Sequence, residues 1–451
     1  MRISSALWLA GIVAAGPAAA QNADAPCATI KTTALPPCNV PGAPAAPALA
    51  TLDGVPVTAA ELDESLRTRR AGLDAAVAEA RRAALQAEID DALLELEAAR
   101  REMSLPALLD QEVDRKAPAP TEADVLALYE AYKKWGVKES LQQLKPTLAR
   151  QAREIARVRR EAEFTRSLRD RHTVALGADA GSPGLAKNTV LGTVGARKIT
   201  VASAATRLDA AGFAVRRDLY FDERAAFERL AHERLLRAEA GKRGVTPESL
   251  EKENLKIEEG HALTLLGEMP APPALSLDLA RGTSRGNPAA LVTVVEWADF
   301  ECPHCSHMWT MLEDALKPYG DRVRYLYLNF PLPFHEFAEK AAEAALAARA
   351  QGKFFEFASI LFRNQKALDP LSLKKYAAEV GLDVARFAAD LDGGRFAGEV
   401  LLEKRDGIRA GVLGTPFVFV NGVWLRWDKA EIADVRALVD GALSRAAAPA
   451  R

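Results

Sequence analysis

Apolar positions recur along this chain at two spacings, and the change of spacing divides it. In the first half, Leu85, Ile89, Leu93 and Leu96 fall on one face at near-helical spacing, which predicts a long helix. Leu52 to Thr58 reads as a short extended lead-in. Thr58, with Glu61 three residues later, forms a capping box for the helix that follows. A second helical run covers Glu122 to Lys133, with Thr121 as its cap after Pro118 and Pro120. A third covers Leu141 to Arg171, with a break near Pro146. In the second half the period shortens. Leu291 to Trp297 reads as a buried strand and Ser306 to Leu316 as a helix. Val323 to Asn329 reads as a second strand, parallel to the first through the helical crossover. Phe417–Val420 and Val423–Leu425 flank Asn421-Gly422, a hairpin turn in which both residues need positive φ. Ala430 to Ser444 closes with a helix.

The N-terminal pattern occurs twice. Gly195 to Val201 resembles Gly54 to Ala59 with one residue inserted, and the face Leu85, Ile89, Leu93, Leu96 becomes Phe227, Ala231, Leu235, Ala238. Helices with similar faces imitate repeats easily, but the order of both features points to a structural duplication. The chain then divides into a leader (1–20), a Pro/Ala-rich tether (21–50), a first helical repeat (51–185), a second (190–265), a stiff, turn-rich linker (266–289) and a mixed α/β domain (290–446).

The leader has a charged start, a short apolar core from Ala6 to Ala15, a Gly16-Pro17 break and small residues at Ala18-Ala19-Ala20. That is the design of a secretory signal peptide. The apolar core is well short of the roughly 20 residues that span a bilayer. Export exposes thiols to oxidising conditions, and the four cysteines allow three pairings. Local loop closure favours Cys27 with Cys38 and Cys302 with Cys305. The Cys27–Cys38 pair, set among Pro and Ala, reads as a structural clip on the mature N-terminus; a second redox pair is the alternative.

Balanced charge, net −2 over 451 residues, gives no reason to expect a nucleic-acid partner. The arginines between Arg150 and Arg171 alternate with acids, as on a solvated helix face.

The chemistry concentrates in Cys302-Pro303-His304-Cys305, between the first strand and its helix. A cysteine at a helix N-terminus is favoured as the thiolate, its reactive form. Cys302 reads as the nucleophile and Cys305, one turn deeper, as the resolving thiol. Pro303 fits a first-turn position, where its missing N–H matters least. An imidazolium at His304 would favour the thiolate further. A zinc site wants four ligands, and only His304 and His307 lie nearby. Covalent haem attachment wants a histidine where Ser306 stands. No cofactor and no metal are expected. Glu296, six residues before Cys302 and facing inward by strand alternation, is a candidate proton carrier. Asp299 reads as nearer the surface. His335 reads as a packed or capping residue.

Two resemblances add to this reading. Asp53 to Thr58, Asp90-Asp91-Ala92-Leu93-Leu94 and Pro120 to Tyr129 resemble the helical domain of the periplasmic chaperone SurA and its PrsA-like and trigger-factor relatives. The resemblance implies helices that hold unfolded chains; a spacer or dimerisation arm is the alternative. No segment carries a parvulin pattern, so prolyl isomerase activity is not expected. From Gly286 on, the run Glu296 to Cys305, then Asn329 to His335, Gln351 to Phe355 and Gly414-Thr415-Pro416 resemble the DsbA-like branch of the thioredoxin fold. That implies a central sheet with a helical insertion between Phe334 and about Gly411. It also implies a cis Pro416 facing the cysteines, with Thr415 offering backbone groups to a client. In that family the buried acid, here Glu296, relays a proton to or from Cys305.

The fold class expected is thus multidomain: an all-α N-terminal region with an internal repeat, plus an α/β thioredoxin-like domain. The expected function is a periplasmic thiol-disulfide oxidoreductase acting on reduced or misfolded exported proteins. A DsbB-like or DsbD-like membrane protein would be its redox partner, and oligomerisation is open. Two alternatives stand: an isomerase or reductase kept reduced in the cell, and a holdase whose CxxC is incidental.

Overall fold

The computed structural model describes residues 48–134, 136–251, 263–265, 281–425 and 430–447, and no helix among them is long and apolar enough to cross a membrane. The leader and the Cys27 and Cys38 pair lie outside the described residues. Two compact units emerge. One holds Val77–Ala214 together with the described residues from 281 onward; the other holds the described residues up to Ala76 and from Val215 to 265.

The N-terminal elements run in the order β1 (Ala48–Leu52), β2 (Val55–Thr58), α1 (Glu64–Ala71), α2 (Leu73–Arg100), α3 (Leu105–Leu109), α4 (Glu122–Lys134), α5 (Leu141–Arg169), β3 (Val174–Leu176), β4 (Val190–Val194), β5 (Arg197–Thr200), α6 (Val201–Arg243), α7 (Pro247–Glu251) and β6 (Leu263–Leu265). Helices dominate this region, but it also carries two three-stranded sheets, β2-β1-β6 and β3-β4-β5. These strands are three to five residues long, too short for alternation to register in the sequence. Thr58 precedes a single 3-10 turn rather than the long helix, because Leu62 is extended. Asp63 then caps α1 by accepting the Leu66 amide. Thr121 meets α4 as expected, its hydroxyl accepting from the Asp124 amide. Helix α5 runs unbroken through Pro146 in its second turn, so the break expected there does not occur.

The duplication is real at the level of backbone pairing. In the first hairpin Leu52 faces Val55 and Val57 faces Ala50, with a bulge between Ala48 and Ala50. In the second Val194 faces Arg197 and Ile199 faces Gly192, with the same bulge between Val190 and Gly192. The two hairpins and the two long helices align at one constant offset. The inserted residue read from the glycines is therefore absent: Asp53, at positive φ, takes the place of Gly195. Each hairpin packs on the long helix of the other copy. Val57, Leu62 and Leu66 share a core with Phe227, while their counterparts Ile199, Ala204 and Leu208 share one with Leu85.

The α/β domain comprises β7 (Thr283–Arg285), β8 (Val292–Ala298), α8 (Pro303–Leu316), β9 (Val323–Asn329), α9 (Ala338–Arg349), α10 (Phe354–Arg363), α11 (Pro370–Glu379), α12 (Val384–Asp392), α13 (Ala397–Arg409), β10 (Phe417–Val420), β11 (Val423–Leu425) and α14 (Ile432–Ala447). The strand order is β11-β10-β8-β9-β7, with β8 and β9 parallel and the other neighbours antiparallel. Helices α9 to α13 form the insertion. Asn421 and Gly422 both take positive φ in the β10–β11 turn. Strand β7 lies in the stretch read as linker. Gly282 and Gly286 bracket it at positive φ, where a Cβ would approach the carbonyls of Tyr327 and Val323 within 2.7 and 2.4 Å.

Alternation along β8 splits the core. Val292, Val294 and Ala298 face α8, α10 and α14, whereas Val295 and Trp297 face the Ala410–Val412 segment at the end of α13. Glu296 therefore points to the same side as the helix that carries the cysteines.

Within this unit the helical segment is bound to the α/β domain through buried charge. Asp91 on α2 receives guanidinium groups from Arg207 on α6 and from Arg405 and Arg409 on α13. Arg405 also binds Glu161 on α5 at 2.6 Å, and Arg207 binds Glu88 at 3.0 Å. Burial opposes the Asp91 charge, but the three guanidiniums outweigh it and hold the carboxyl below its usual range. Backbone approach is close as well: a Cβ on Gly398 would come within 2.9 Å of Pro106.

Candidate active site

Cys302 ends the β8–α8 loop as the N-cap of α8, with Pro303 at the first helical position. Its carbonyl accepts the Cys305 amide at 3.0 Å. The Cys302 side chain is nearly buried and Cys305 wholly so, and both are free thiols. Cys302 Sγ donates to the Thr415 carbonyl at 3.4 Å, and the Thr415–Pro416 peptide is cis. The turn before β10 therefore lies directly against the first sulfur. His304 occupies the exposed first turn of α8.

The two sulfurs titrate in opposite directions. A hydrogen bond from the Cys305 thiol, with the Cys305 amide, outweighs burial and pulls Cys302 down to about 6. Burial, then the neighbouring Cys302 sulfur and Glu296, pushes Cys305 well above the ordinary thiol range. One thiol is ready to ionise at neutral pH while the other keeps its proton, which is the polarity a nucleophile and a resolving thiol need.

Glu296 is fully buried. It accepts a hydrogen bond from Tyr325, and its Oε1 has no hydrogen-bond partner. Burial outweighs the Tyr325 bond and lifts the carboxyl to about 8, with the Cys302 charge adding to the rise. A carboxyl that titrates near neutral pH, on the sheet face that bears the cysteines, suits proton transfer.

Three features of the site are not legible in the sequence. Asp299 is buried, not near the surface: its carboxylate accepts from the Leu332 amide at 2.7 Å, His335 Nδ1 at 2.8 Å and the Glu301 amide at 2.8 Å. Its own amide donates to Cys305 Sγ at 3.5 Å. Gln365, just beyond α10, donates to the carbonyls of Phe300 at 2.7 Å and Cys302 at 2.8 Å, tying the insertion to the cysteine loop. An aromatic wall of Phe300, Trp309, Tyr327 and Phe362 closes the far side, with Phe300 and Phe362 centroids 4.9 Å apart. Asp-x-x-Cys was a visible spacing, but nothing in it pointed to residues more than thirty positions downstream.

Beside the site a cleft of about 760 Å³ opens between the helical segment and the α/β domain; Pro106, Asp110 and Arg153 line one side, and Leu332, His335 and Glu336 the other. Arg150 on α5 reaches across it to the Phe334 carbonyl at 3.3 Å. Among the described residues no group of three or more His, Cys, Asp or Glu side chains could hold a metal ion.

A parallel strand pair joined by a helix that begins at a Cys-x-x-Cys, opposite a cis-proline turn, defines a thioredoxin-like domain. Residues 279–441 match the family described as Thioredoxin. Residues before 279 lie outside that match. Among curated proteins the chain is similar to the Na(+)/H(+) antiporter NhaA 3 of Salinispora tropica, 41% identical over 147 residues, which make up 32% of this chain and 22% of that protein. It is similar in the same way to the Na(+)/H(+) antiporter NhaA of Herminiimonas arsenicoxydans, 39% identical over 142 residues, with shares of 32% and 22%. The chain thus spans less than a quarter of the length of these relatives. Among solved structures, BdbD from Bacillus subtilis in its oxidised form is 22% identical, covering 36% of this chain and 93% of that one, with a TM-score of 0.33. A thioredoxin-like oxidoreductase from Silicibacter pomeroyi is 29% identical, covering 37% and 94%, with a TM-score of 0.34. Wolbachia pipientis alpha-DsbA1 is 21% identical, covering 38% and 95%, with a TM-score of 0.34.

Proposed function

We propose that this chain is a thiol-disulfide oxidoreductase that introduces disulfides into exported proteins in the periplasm. One observation carries the reading: Cys302 caps α8 with its sulfur against the cis Thr415–Pro416 turn, which suits an acidic thiol, while Cys305 is wholly buried behind it and holds its proton. A thiolate stabilised in the dithiol form makes the corresponding disulfide easier to reduce, and so a better oxidant.

In the oxidising direction a client thiolate attacks Cys302 Sγ of the Cys302–Cys305 disulfide. The S–S bond breaks, and its electron pair leaves on Cys305, which takes a proton from the Glu296 carboxyl. A second client thiolate then attacks the client sulfur of the mixed disulfide, and Cys302 departs as the thiolate. The client loses two electrons and the protein gains them. Thr415 and Pro416 line the first sulfur, where an extended client would lie, and His304 on the exposed turn adds a positive charge when protonated. A quinone-linked membrane partner of the DsbB kind would return the pair to the disulfide.

The helical region is read as the part that holds clients. What supports this over a loose spacer is the packing of its Val77–Ala214 segment on the α/β domain through Asp91 and the cleft that segment forms beside His335. The test is direct. The oxidised full chain should oxidise a reduced, unfolded client stoichiometrically, Cys302→Ser should abolish this, and Cys305→Ser should accumulate the mixed disulfide. Full activity in Cys302→Ser would refute the reading. Trapping in cells should find the pair oxidised; a reduced pair would point to an isomerase or reductase instead.

A further inference from the structure

His335 sits at the border between the cleft and the cysteine loop, and thiol exchange as described makes no use of it. Its Nδ1 lies 2.8 Å from Asp299 Oδ2. The Asp299 carboxylate is completely shielded from solvent, while the His335 side chain keeps 19% exposure. That carboxylate is a negative charge close to a sulfur that must itself become negative, and it opposes the Cys302 thiolate. Three donors converge on it: the Leu332 amide, the Glu301 amide and the imidazole. Only the imidazole can bring a positive charge. Asp299, Glu301 and Cys302 act on the ring from the cysteine loop, Phe334 packs edge-on against it with centroids 4.6 Å apart, and Arg150, Arg153, Glu336 and Glu339 line the cleft it borders. Burial works against the charged ring, but the Asp299 bond, with these neighbours, moves its titration upward. Loop geometry runs the same way: with the carboxylate drawn toward His335 and Leu332, the Asp299 amide is left directed at Cys305 Sγ.

We propose that His335 is a positioning residue for thiol exchange: through its hydrogen bond it holds and offsets the Asp299 carboxylate, so that the loop presents an amide rather than a bare negative charge to the cysteine pair. The proposal rests on the oxidoreductase reading but is tested separately from it. A buried carboxylate stripped of a charged partner repels the nearby thiolate more strongly. Removal of the imidazole should therefore make Cys302 less acidic and its disulfide less oxidising.

The experiment uses the full chain and two readouts: the pH profile of Cys302 alkylation by iodoacetamide, and the equilibrium of the pair with glutathione. His335→Ala should move the Cys302 midpoint upward by about one pH unit and shift the glutathione equilibrium about tenfold toward the protein disulfide. His335→Asn, whose side-chain amide can replace the Nδ1–H donor but not the charge, should fall between the parent and His335→Ala. Adding Asp299→Asn to His335→Ala should restore the low midpoint, because the repelling charge is gone. The proposal is overturned if His335→Ala titrates like the parent, if His335→Asn shifts as far as His335→Ala, or if the double variant stays high. An ordinary Cys302 midpoint in the parent protein would instead overturn the oxidoreductase reading itself.

Discussion

The Glu296 carboxyl accepts a hydrogen bond from the Tyr325 hydroxyl inside the sheet, on the face that carries Cys305. Its other oxygen is left without a partner in a fully buried position. Glu296→Gln keeps the shape and removes the proton donor. Resolution of the mixed disulfide should slow by about a hundredfold, the lower range for loss of a general acid-base group, and the mixed species should be trapped by acid quench. Unchanged resolution kinetics would remove Glu296 from the mechanism.

Buried acids also make stability depend on pH. Burial raises Glu296 to about 8 and Glu403 to about 7, the latter against hydrogen bonds from Asn329. In the unfolded chain both titrate near an ordinary carboxyl value. Between that value and the raised one, the folded protein binds more protons than the unfolded chain, so stability falls as pH rises through the window. Denaturant unfolding of the Cys302→Ser protein, which lacks the opposing contribution of a thiol that ionises at lower pH in the folded state, should show this decline from about pH 5 to about pH 8. Glu403→Gln should flatten the part below pH 7. An unchanged slope in that variant would contradict the assignment.

Asp91 is where three guanidinium groups from two parts of one unit meet. Asp91→Ala leaves Arg207, Arg405 and Arg409 facing one another without their shared carboxylate. A loss of about 3 kcal/mol is expected, as for breaking a buried pair. Limited proteolysis should then cut between the helical segment and the α/β domain faster than in the parent. Equal stability and equal cleavage would mean that other contacts carry the packing.

Gln365 links the insertion to the cysteine loop through two carbonyls. Gln365→Ala should cost about 1–3 kcal/mol, because the Phe300 carbonyl loses its side-chain donor and the Cys302 carbonyl loses one of its partners, keeping the Cys305 amide. It should also broaden the pH profile of Cys302 alkylation as the N-cap loosens. Unaltered stability would show that water replaces the amide at no cost.

The α/β domain was legible in the sequence because its signals are local. Period-two strands, the Asn421-Gly422 turn and a cysteine just ahead of a helix each state their own geometry. The duplication was legible in its helices but misread in its hairpins. Glycine alone marks the wrong register there, because Asp53 adopts the same left-handed backbone as Gly195. Strand β7 was hidden by its length of three residues. The partners of Asp299 were hidden for a different reason. A buried carboxylate is satisfied by whatever donors the fold brings to it, here the Leu332 amide and His335 from a loop beyond the next strand. No local pattern encodes that meeting. Asp91 and Arg405 illustrate the same limit: on a helix surface each reads as a solvated charge until a second element covers it.

The account depends on the acidity of one sulfur. The most direct measurement is the rate of Cys302 alkylation by iodoacetamide in the dithiol protein from pH 4 to 10, with Cys305→Ser as the control that isolates the site. A midpoint near 6, well below the ordinary thiol value, is the predicted result. A midpoint at about 8.5, that of a free cysteine, would contradict it.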